Sequence, residues 1–337
     1  MPKFQKITRE EYRNLFSKAL FSTFFHNTEW HEFLEKEFKW LKFEYYSYKD
    51  EAVLPLARLK VFGREKLISL PFCEYGGPLP LKKEINFEEF ENDLLNEFNN
   101  IELKINPGIQ DFFKHNGGIV ESLNCSYQIR GFNYLNEEKI FRSFRPTTRQ
   151  RIRKAEKENL VAAVCKTEEE LKQFYNAYVK TMKKNKTVCF PFQIFKFLFE
   201  ISRNSRDVNF FIVKHKSRLI SGVVILFYSG IAHNFLTATD YRYVRRNKLN
   251  PVYFILWNAM KDILNSKRAE VFDLGGTKIN SSLEEFKRGW GAESYPIWRI
   301  SDFKLSKLKK SRLRKFWGLL PEFMIKTISP YLIKYRL

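Results

Sequence analysis

Residues 219–239, LISGVVILFYSGIAHNFLTAT, contain no Lys, Arg, Asp or Glu. A run of 21 such residues is long enough to cross a bilayer as a helix. Ser229-Gly230 breaks it near its middle, however, and Ser221, His233, Asn234, Thr237 and Thr239 make it too polar for lipid. Val, Ile, Phe and Tyr on either side of a Ser-Gly turn predict a buried β-hairpin instead.

At 337 residues the chain can bury a sizeable core, as two domains or one large one. Hydrophobic residues are 44% and charged residues 29%, which excludes disordered and collagen-like classes. The 34 Phe and 16 Tyr predict a core built largely from rings. The net charge of +21 points to an anionic partner, and it is concentrated. Residues 303–337 hold ten Lys/Arg against Glu322, and residues 142–158 hold seven against Glu156 and Glu158. The rest is an ordinary body, and like-charge runs are often only solvated faces. Cys73, Cys125, Cys165 and Cys189 show no metal-ligand spacing, so buried free thiols and no metal are expected. The opening MPKFQKITREEY has no apolar stretch, so no secretory signal is expected.

Along the chain, helical and strand patterns alternate. TREEYRNLFSKAL and TEWHEFLEKEF predict helices, then KFEYYSY, AVLPLARLKVF and KLISLPF predict strands. FEEFENDLLNEF predicts a helix, IELKINP a strand, and GIVESLNCSYQIRGFNYL further strands. After Asn136 the order restarts with a basic helix at TTRQRIRKAEKENL and a strand at VAAVCK. Thr167-x-x-Glu170 is a capping box opening the next helix, and Pro191 suits the first turn of another. Three strands follow, then a helix capped by Asn250 with Pro251 at its first position. The strand EVFDLGG, a helix with a capping box at Ser281-x-x-Glu284 or Ser282-x-x-Glu285, and ESYPIWRISDF closing the sheet complete the pattern. The class is α/β (α+β), read as two similar modules at 1–140 and 141–302 with mixed, mostly antiparallel sheets, and a basic amphipathic tail at 303–337.

Five segments can carry chemistry. In FDLGGTKINSSLEEFKRGWGAE, Asp273 ends a strand, Gly275-Gly276 turn the chain, and a short helix presents Lys287, with Gly291 ending it. That is a reaction cradle, or else a capped turn beside a surface lysine. In LPFCEYGGPLP, Glu74 and Tyr75 stand at the shoulder of a Gly76-Gly77-Pro78 turn, where a ligand finds a carboxylate and a phenol, or the turn is only structural. Arg245 and Arg246 lie in YRYVRRNKLNP ahead of a helix start, a phosphate site or a solvated loop. Arg149 and Arg153 share a helix face that can grip phosphates but lacks interleaved aromatics for reading bases. The tail mixes Lys/Arg with Leu, Phe, Trp and Ile, and Pro321 and Pro330 forbid a span. It suits either an anionic membrane surface or a helix docked on the body. His26, His31, His115, His215 and His233 form no i,i+3 or i,i+4 pair, and no nucleophile elbow or Walker loop is present.

In their order, NTEWHEFLE, LPLARLK, SLPFCEYGGPLP, RQRIRKAEKENL, FYNAYVKTMKKN, VFDLGG and FKRGWGAE resemble the Fem-like branch of the GNAT superfamily. These are tandem-GNAT acyl and aminoacyl transferases of peptidoglycan-bridge and surface-glycan pathways. The resemblance covers about residues 20–300. It implies two GNAT-like modules, a substrate groove between or along them, and acyl transfer to an amine of a cell-envelope precursor. It also implies that Phe286-Lys287 helps stabilise the tetrahedral intermediate, with Asp273 or Glu74 accepting the amine proton. Glu74, Tyr75, Gly76, Gly77, Gly275, Gly276, Arg149, Arg153, Arg245 and Arg246 are the expected substrate contacts. Where acetyl-CoA-dependent members carry a glycine-rich pyrophosphate loop, this chain reads RRNKLNP. The departure suits an aminoacyl-tRNA donor or another carrier better than acyl-CoA. The alternatives are an acyl-CoA-dependent N-acetyltransferase and an inactive RNA- or membrane-binding module. The expected location is cytoplasmic, at the inner membrane face through residues 303–337, with tRNA as a partner and no DNA.

Overall fold

The computed structural model describes residues 2–61, 63–83, 85–112, 124–302 and 317–335. The chain begins β1 (Phe4–Ile7), α1 (Arg9–Phe16), α2 (Thr28–Glu37), β2 (Leu41–Tyr48), β3 (Ala52–Val61), β4 (Arg64–Ile68), β5 (Leu79–Pro80), α3 (Phe87–Glu97) and β6 (Ile101–Lys104). It continues through β7 (Asn124–Arg130), α4 (Glu137–Ser143), α5 (Pro146–Ala155), β8 (Val161–Val164), α6 (Glu168–Lys184) and α7 (Phe192–Asn204). Then come β9 (Val208–His215), β10 (Arg218–Tyr228), β11 (Ile231–Thr239), α8 (Tyr241–Arg246), α9 (Pro251–Ser266) and β12 (Val271–Lys278). α10 (Ser282–Arg288), β13 (Glu293–Pro296) and β14 (Arg299–Ser301) precede a C-terminal helix, Glu322–Leu332.

Local chemistry sets the helix starts. Thr167 accepts from the Glu170 N–H while Glu170 accepts from the Thr167 N–H, the reciprocal box read from sequence. Of the two serine candidates, Ser281 caps α10, and Glu284 reaches back to the Asn280 N–H. Asn250 does not cap α9 as expected. Its amide and backbone N–H both donate to Glu158, so the residue ties two segments together instead. The charge-free run is the expected hairpin: β10 and β11 pair antiparallel across Ser229 and Gly230, both with positive φ (45° and 74°). No helix among the described residues is long and apolar enough to cross a membrane.

Among the described residues the strands form two seven-stranded sheets. One has the order β1-β2-β3-β4-β6-β14 with β5 beside β3, and the other β13-β7-β12-β11-β10-β9-β8. Both are mostly antiparallel, with parallel pairs at β4/β6 and β11/β12. The sheets exchange strands. β7, which precedes residue 140, pairs with β12 and β13 in the second sheet. β14 crosses to β6 in the first, so ESYPIWRISDF supplies one strand to each sheet instead of closing one.

The core is correspondingly shared. Rings from the first half meet rings from the second: Phe33 on Phe197 at 4.2 Å, Phe16 on Tyr228 at 5.5 Å and Phe25 on Phe235 at 5.2 Å between centroids. Offset and edge-on ring pairs of this kind add to the area they bury. All four thiols are free, three of them buried. The stretch 303–316 of the tail lies outside the described residues. Beyond it the C-terminal helix and the turn after it dock on the body, burying Ile325, Ser329 and Ile333. The Ser329 hydroxyl accepts from the Cys189 N–H at 3.1 Å, and Trp317 donates to the Thr187 carbonyl at 2.9 Å.

Candidate active site

β11 and β12 run side by side only over Ile231–His233 and Val271–Asp273. Beyond that point they part, and each strand shows why. β11 slips register against β10 at Val224/Ile225, which leaves Phe235 unpaired as a bulge. β12 slips against β7 between Asp273 and Gly276, with Gly275 at φ +81°. Gly275 and Gly276 therefore lie inside a distorted strand; the sequence had suggested a turn after its end. Gly275 is favoured by its φ, and a Cβ there would sit 2.9 Å from Glu74 Oε1 and push that carboxylate aside.

Glu74 and Tyr75 come from the first module, on the loop between β4 and β5. The Gly76 N–H donates to the Lys104 carbonyl at 2.8 Å, and Gly77 turns with φ +85°. These two glycines fix the loop and present Glu74 and Tyr75 to the second sheet. There the side chains meet His233 and Asp273 in a buried cluster. His233 Nε2 lies 2.9 Å from Glu74 Oε2, an ion pair without a well-directed hydrogen bond, and His233 Nδ1 lies 3.4 Å from Asp273 Oδ2. Tyr75 donates its hydroxyl to Asp273 Oδ2. The other Asp273 oxygen accepts from Ser126 Oγ at 2.6 Å and from the Gly275 N–H at 2.7 Å.

Burial alone would push the His233 imidazole down, but the carboxylates of Glu74 and Asp273 outweigh it and raise its pKa to about 10. Burial would likewise raise Asp273, yet His233, Ser126 and Tyr75 bring it down to about 2. Burial first, then the Asp273 charge, pushes the Tyr75 phenol well up. At neutral pH His233 is therefore an imidazolium beside the Asp273 carboxylate, with the Tyr75 phenol held neutral.

Lys287 projects from α10 beneath the distorted strand. Its ammonium donates to the Gly275 carbonyl at 2.8 Å and to that of Gly276 at 3.0 Å. Burial lowers its pKa, against the pull of Glu74 and Asp273. The cluster opens on a groove of about 380 Å³ between the modules, walled by Glu74, Tyr178, Phe235, Gly276, Thr277 and Ile333 among others. Glu74 is the acid that reaches it, its side chain 34% exposed, whereas Asp273 is fully buried.

The structure thus brings Glu74, Tyr75, Asp273, Gly275, Gly276 and Lys287 together, with Gly76 and Gly77 as supports behind them. It does not bring Phe286, whose ring packs on Tyr253 and Trp290 in the core of the second module. Arg149 is spent on the Arg142 and Phe144 carbonyls, and Arg153 lies over the Phe141 ring, so neither reaches the groove. Arg245 and Arg246 lie on α8, and Arg246 lines a different cavity. His233 is the residue that spacing missed, because its partners stand 159 and 40 positions away in sequence. The one signal available was a lone His-Asn pair inside the charge-free hairpin.

Residues 142–288 match the family described as acetyltransferase (GNAT) domain. Among solved structures, the chain is similar to FemX with a TM-score of 0.61 and 14% identity, over 88% of this chain and 97% of that one. It is similar to L-PGS from Bacillus licheniformis with a TM-score of 0.55 and 11% identity, over 89% and 94% of the two chains. A conserved protein of unknown function from Bacteroides thetaiotaomicron gives a TM-score of 0.53 and 8% identity, over 89% and 98%. No curated protein matches the sequence significantly.

Proposed function

We propose that this chain, whose fold is that of the tandem GNAT, Fem-like structures, is an acyltransferase that transfers an acyl or aminoacyl group to an amine of a cell-envelope precursor. The observation that carries the reading is the meeting of Glu74, His233, Asp273 and Lys287 where β11 and β12 part, at the floor of the inter-module groove.

The chemistry follows from the charges. An amine attacking an ester or thioester carbonyl forms a C–N bond and a tetrahedral centre with negative oxygen and positive nitrogen. That ammonium is a far stronger acid than a free one, so an ionised carboxylate suffices to take its proton. Glu74 is the carboxylate exposed to the groove and takes this role. Asp273 has both oxygens occupied and positions His233, which in turn holds Glu74. Lys287 places a fixed positive charge behind the Gly275-Gly276 carbonyls, in a site where burial strengthens its field on a developing oxyanion. Collapse of the centre re-forms the carbonyl and breaks the bond to the donor's oxygen or sulfur, which takes the proton held by Glu74 and leaves as an alcohol or thiol.

The donor fits an aminoacyl-tRNA better than acyl-CoA, since the segment 245–251 lacks glycine. A stability gain of about 2.7 kcal/mol with CoA at 100 times its Kd would move the reading to CoA. The modules at 1–140 and 141–302 act as one unit, and residues 303–337 meet an anionic membrane face. Leu319, Phe323 and Tyr331 remain 77%, 68% and 74% exposed on the docked tail, which supports that contact. Flotation with anionic vesicles, retained by L319S/F323S/Y331S, would overturn it.

The transfer itself is tested by mass spectrometry of envelope precursors from cells carrying the wild-type chain or Glu74→Gln. A mass increment that needs Glu74 is expected, and its size names the transferred group. Identical precursor masses in the two strains would overturn the reading.

A further inference from the structure

The groove has two unlike walls. Lys104 and Arg299, directly opposite each other in the β6/β14 pair, stand on one side with Asn124 and Thr277. Phe72, Tyr178, Met182, Phe190, Phe235 and Leu236 make the other. The rings of this second wall form one connected surface. Phe190 lies 5.5 Å from Phe72, 5.9 Å from Phe235 and 6.2 Å from Tyr178 between centroids.

Backbone irregularities aim these rings. Phe72 has φ +64°, where a bulky side chain is strained. Such strain persists only where the surroundings hold it, and it gathers at functional sites. Here the Phe38 ring stacks on Phe72 at 5.0 Å, and the Cys73 thiol donates to the Leu70 carbonyl at 3.1 Å across the bend. Phe235 is the bulged residue of β11, and a bulge re-aims a side chain out of the strand's alternation. Phe190, between them, is held by a phenol at each backbone group. Its N–H donates to Tyr178 Oη at 3.2 Å, and its carbonyl accepts from the Tyr175 hydroxyl at 3.2 Å. Phe72 stands two residues before Glu74 and Phe235 two after His233, so the wall begins beside the cluster.

Met182, Phe190, Phe235 and Leu236 are only half-buried. They keep apolar surface turned to a groove, and a large apolar group seated there would take both surfaces out of water. The acceptor of the proposed transfer is a hydrophilic precursor, and the wall with Lys104, Asn124, Thr277 and Arg299 matches it. The rings are left for the group that is transferred. A group as small as alanyl or glycyl would leave them wet.

We infer that the aromatic wall selects the transferred group, and that this group carries a large apolar moiety: an aromatic or branched side chain, or an acyl chain of similar size. The selection rests on the transfer reading and names the class of donor it uses.

The test is NMR titration of the full chain with N-acetyl-phenylalaninamide, N-acetyl-leucinamide, hexanamide and N-acetyl-alaninamide. At least one of the three larger amides is expected to bind about tenfold or more tighter than the alanine amide. The tightest of the three tells a ring, a branched chain and a straight chain apart. Phe235→Ala should erase the preference. Met182→Trp, which fills the groove from a half-buried position and removes no ring, should erase it as well, so a folding defect in the first variant leaves the test intact. Equal binding of all four amides would overturn the inference, as would no binding by any of the larger three or a preference that both variants keep. Each of those results leaves the transfer reading standing. That reading fails separately, if precursor masses are the same with Glu74 and with Glu74→Gln.

Discussion

Lys287 and the buried histidines show how the same physical effect, burial of a charge, is put to opposite uses. Lys287 stays next to two carboxylates and two carbonyls, so its charge is kept where the proposed transfer would use it. If its fixed charge stabilises the oxyanion as proposed, Lys287→Ala should cut turnover by up to about 10²–10³, the cost of losing one direct oxyanion donor. Steady-state kinetics on folded variant check this, and wild-type turnover would remove the residue from the mechanism. His26 and His31 are buried with hydrogen-bond partners but no carboxylate, and burial lowers their pKa values to about 4 and about 3. The unfolded chain takes up these protons first as pH falls. Their contribution is therefore complete above about pH 6.5 and is lost between there and about pH 4 for His26 and about pH 3 for His31, on the order of 3–5 kcal/mol each. His233 has the opposite sign: its pKa is raised to about 10, so its contribution is complete below about pH 6.5 and is lost as pH rises through 10. From the histidines alone, the Tm should peak near pH 6.5 and fall on both sides. A Tm independent of pH from 7 to 4 would contradict the assignment of His26 and His31 as buried neutral groups. None of this was legible in the sequence, where the five histidines differ only in their neighbours. Burial is a property of the fold.

At the scale of elements, strong local signals were legible. The Thr167-Glu170 box, the Ser281 cap and the Ser229-Gly230 hairpin each rest on chemistry confined to a few residues. The failures occur where a distant residue competes for a local group. Asn250 reads as a cap, yet Glu158 takes its amide. Gly275-Gly276 read as a turn, yet pairing with β7 carries the strand through them. That pairing makes Gly275 a sharp test. Gly275→Ala meets positive φ and a contact with Glu74 Oε1 together, so it should cost more than about 1 kcal/mol and displace Glu74 from the groove. Turnover should fall further than the loss of stability accounts for. The comparison is kcat/KM against the urea midpoint, with the exposed, positive-φ Gly63→Ala as a control that has backbone strain but no contact.

At the scale of the whole molecule, two α/β modules were legible, but their exchange of strands was not. β13 and β14 have four and three residues and are separated by Ile297-Trp298, and periodicity in so short a run cannot say which sheet receives it. The exchange and the shared ring core predict that residues 1–140 and 141–302 do not fold as separate chains. Circular dichroism of the two fragments would show this, and native-like melting of either one would contradict it. The C-terminal helix ties the same body together. Ile325 and Ile333 are almost fully buried in the shared core, and Ile333 also walls the groove. Ending the chain at residue 316 should therefore remove about 3–6 kcal/mol, from two isoleucines at about 1.5–3 kcal/mol each. It should also raise KM by opening the groove. Ile333→Ala separates the two effects: a rise in KM larger than its own stability loss explains would show that the tail shapes the substrate site, and an unchanged KM would confine the tail to stability.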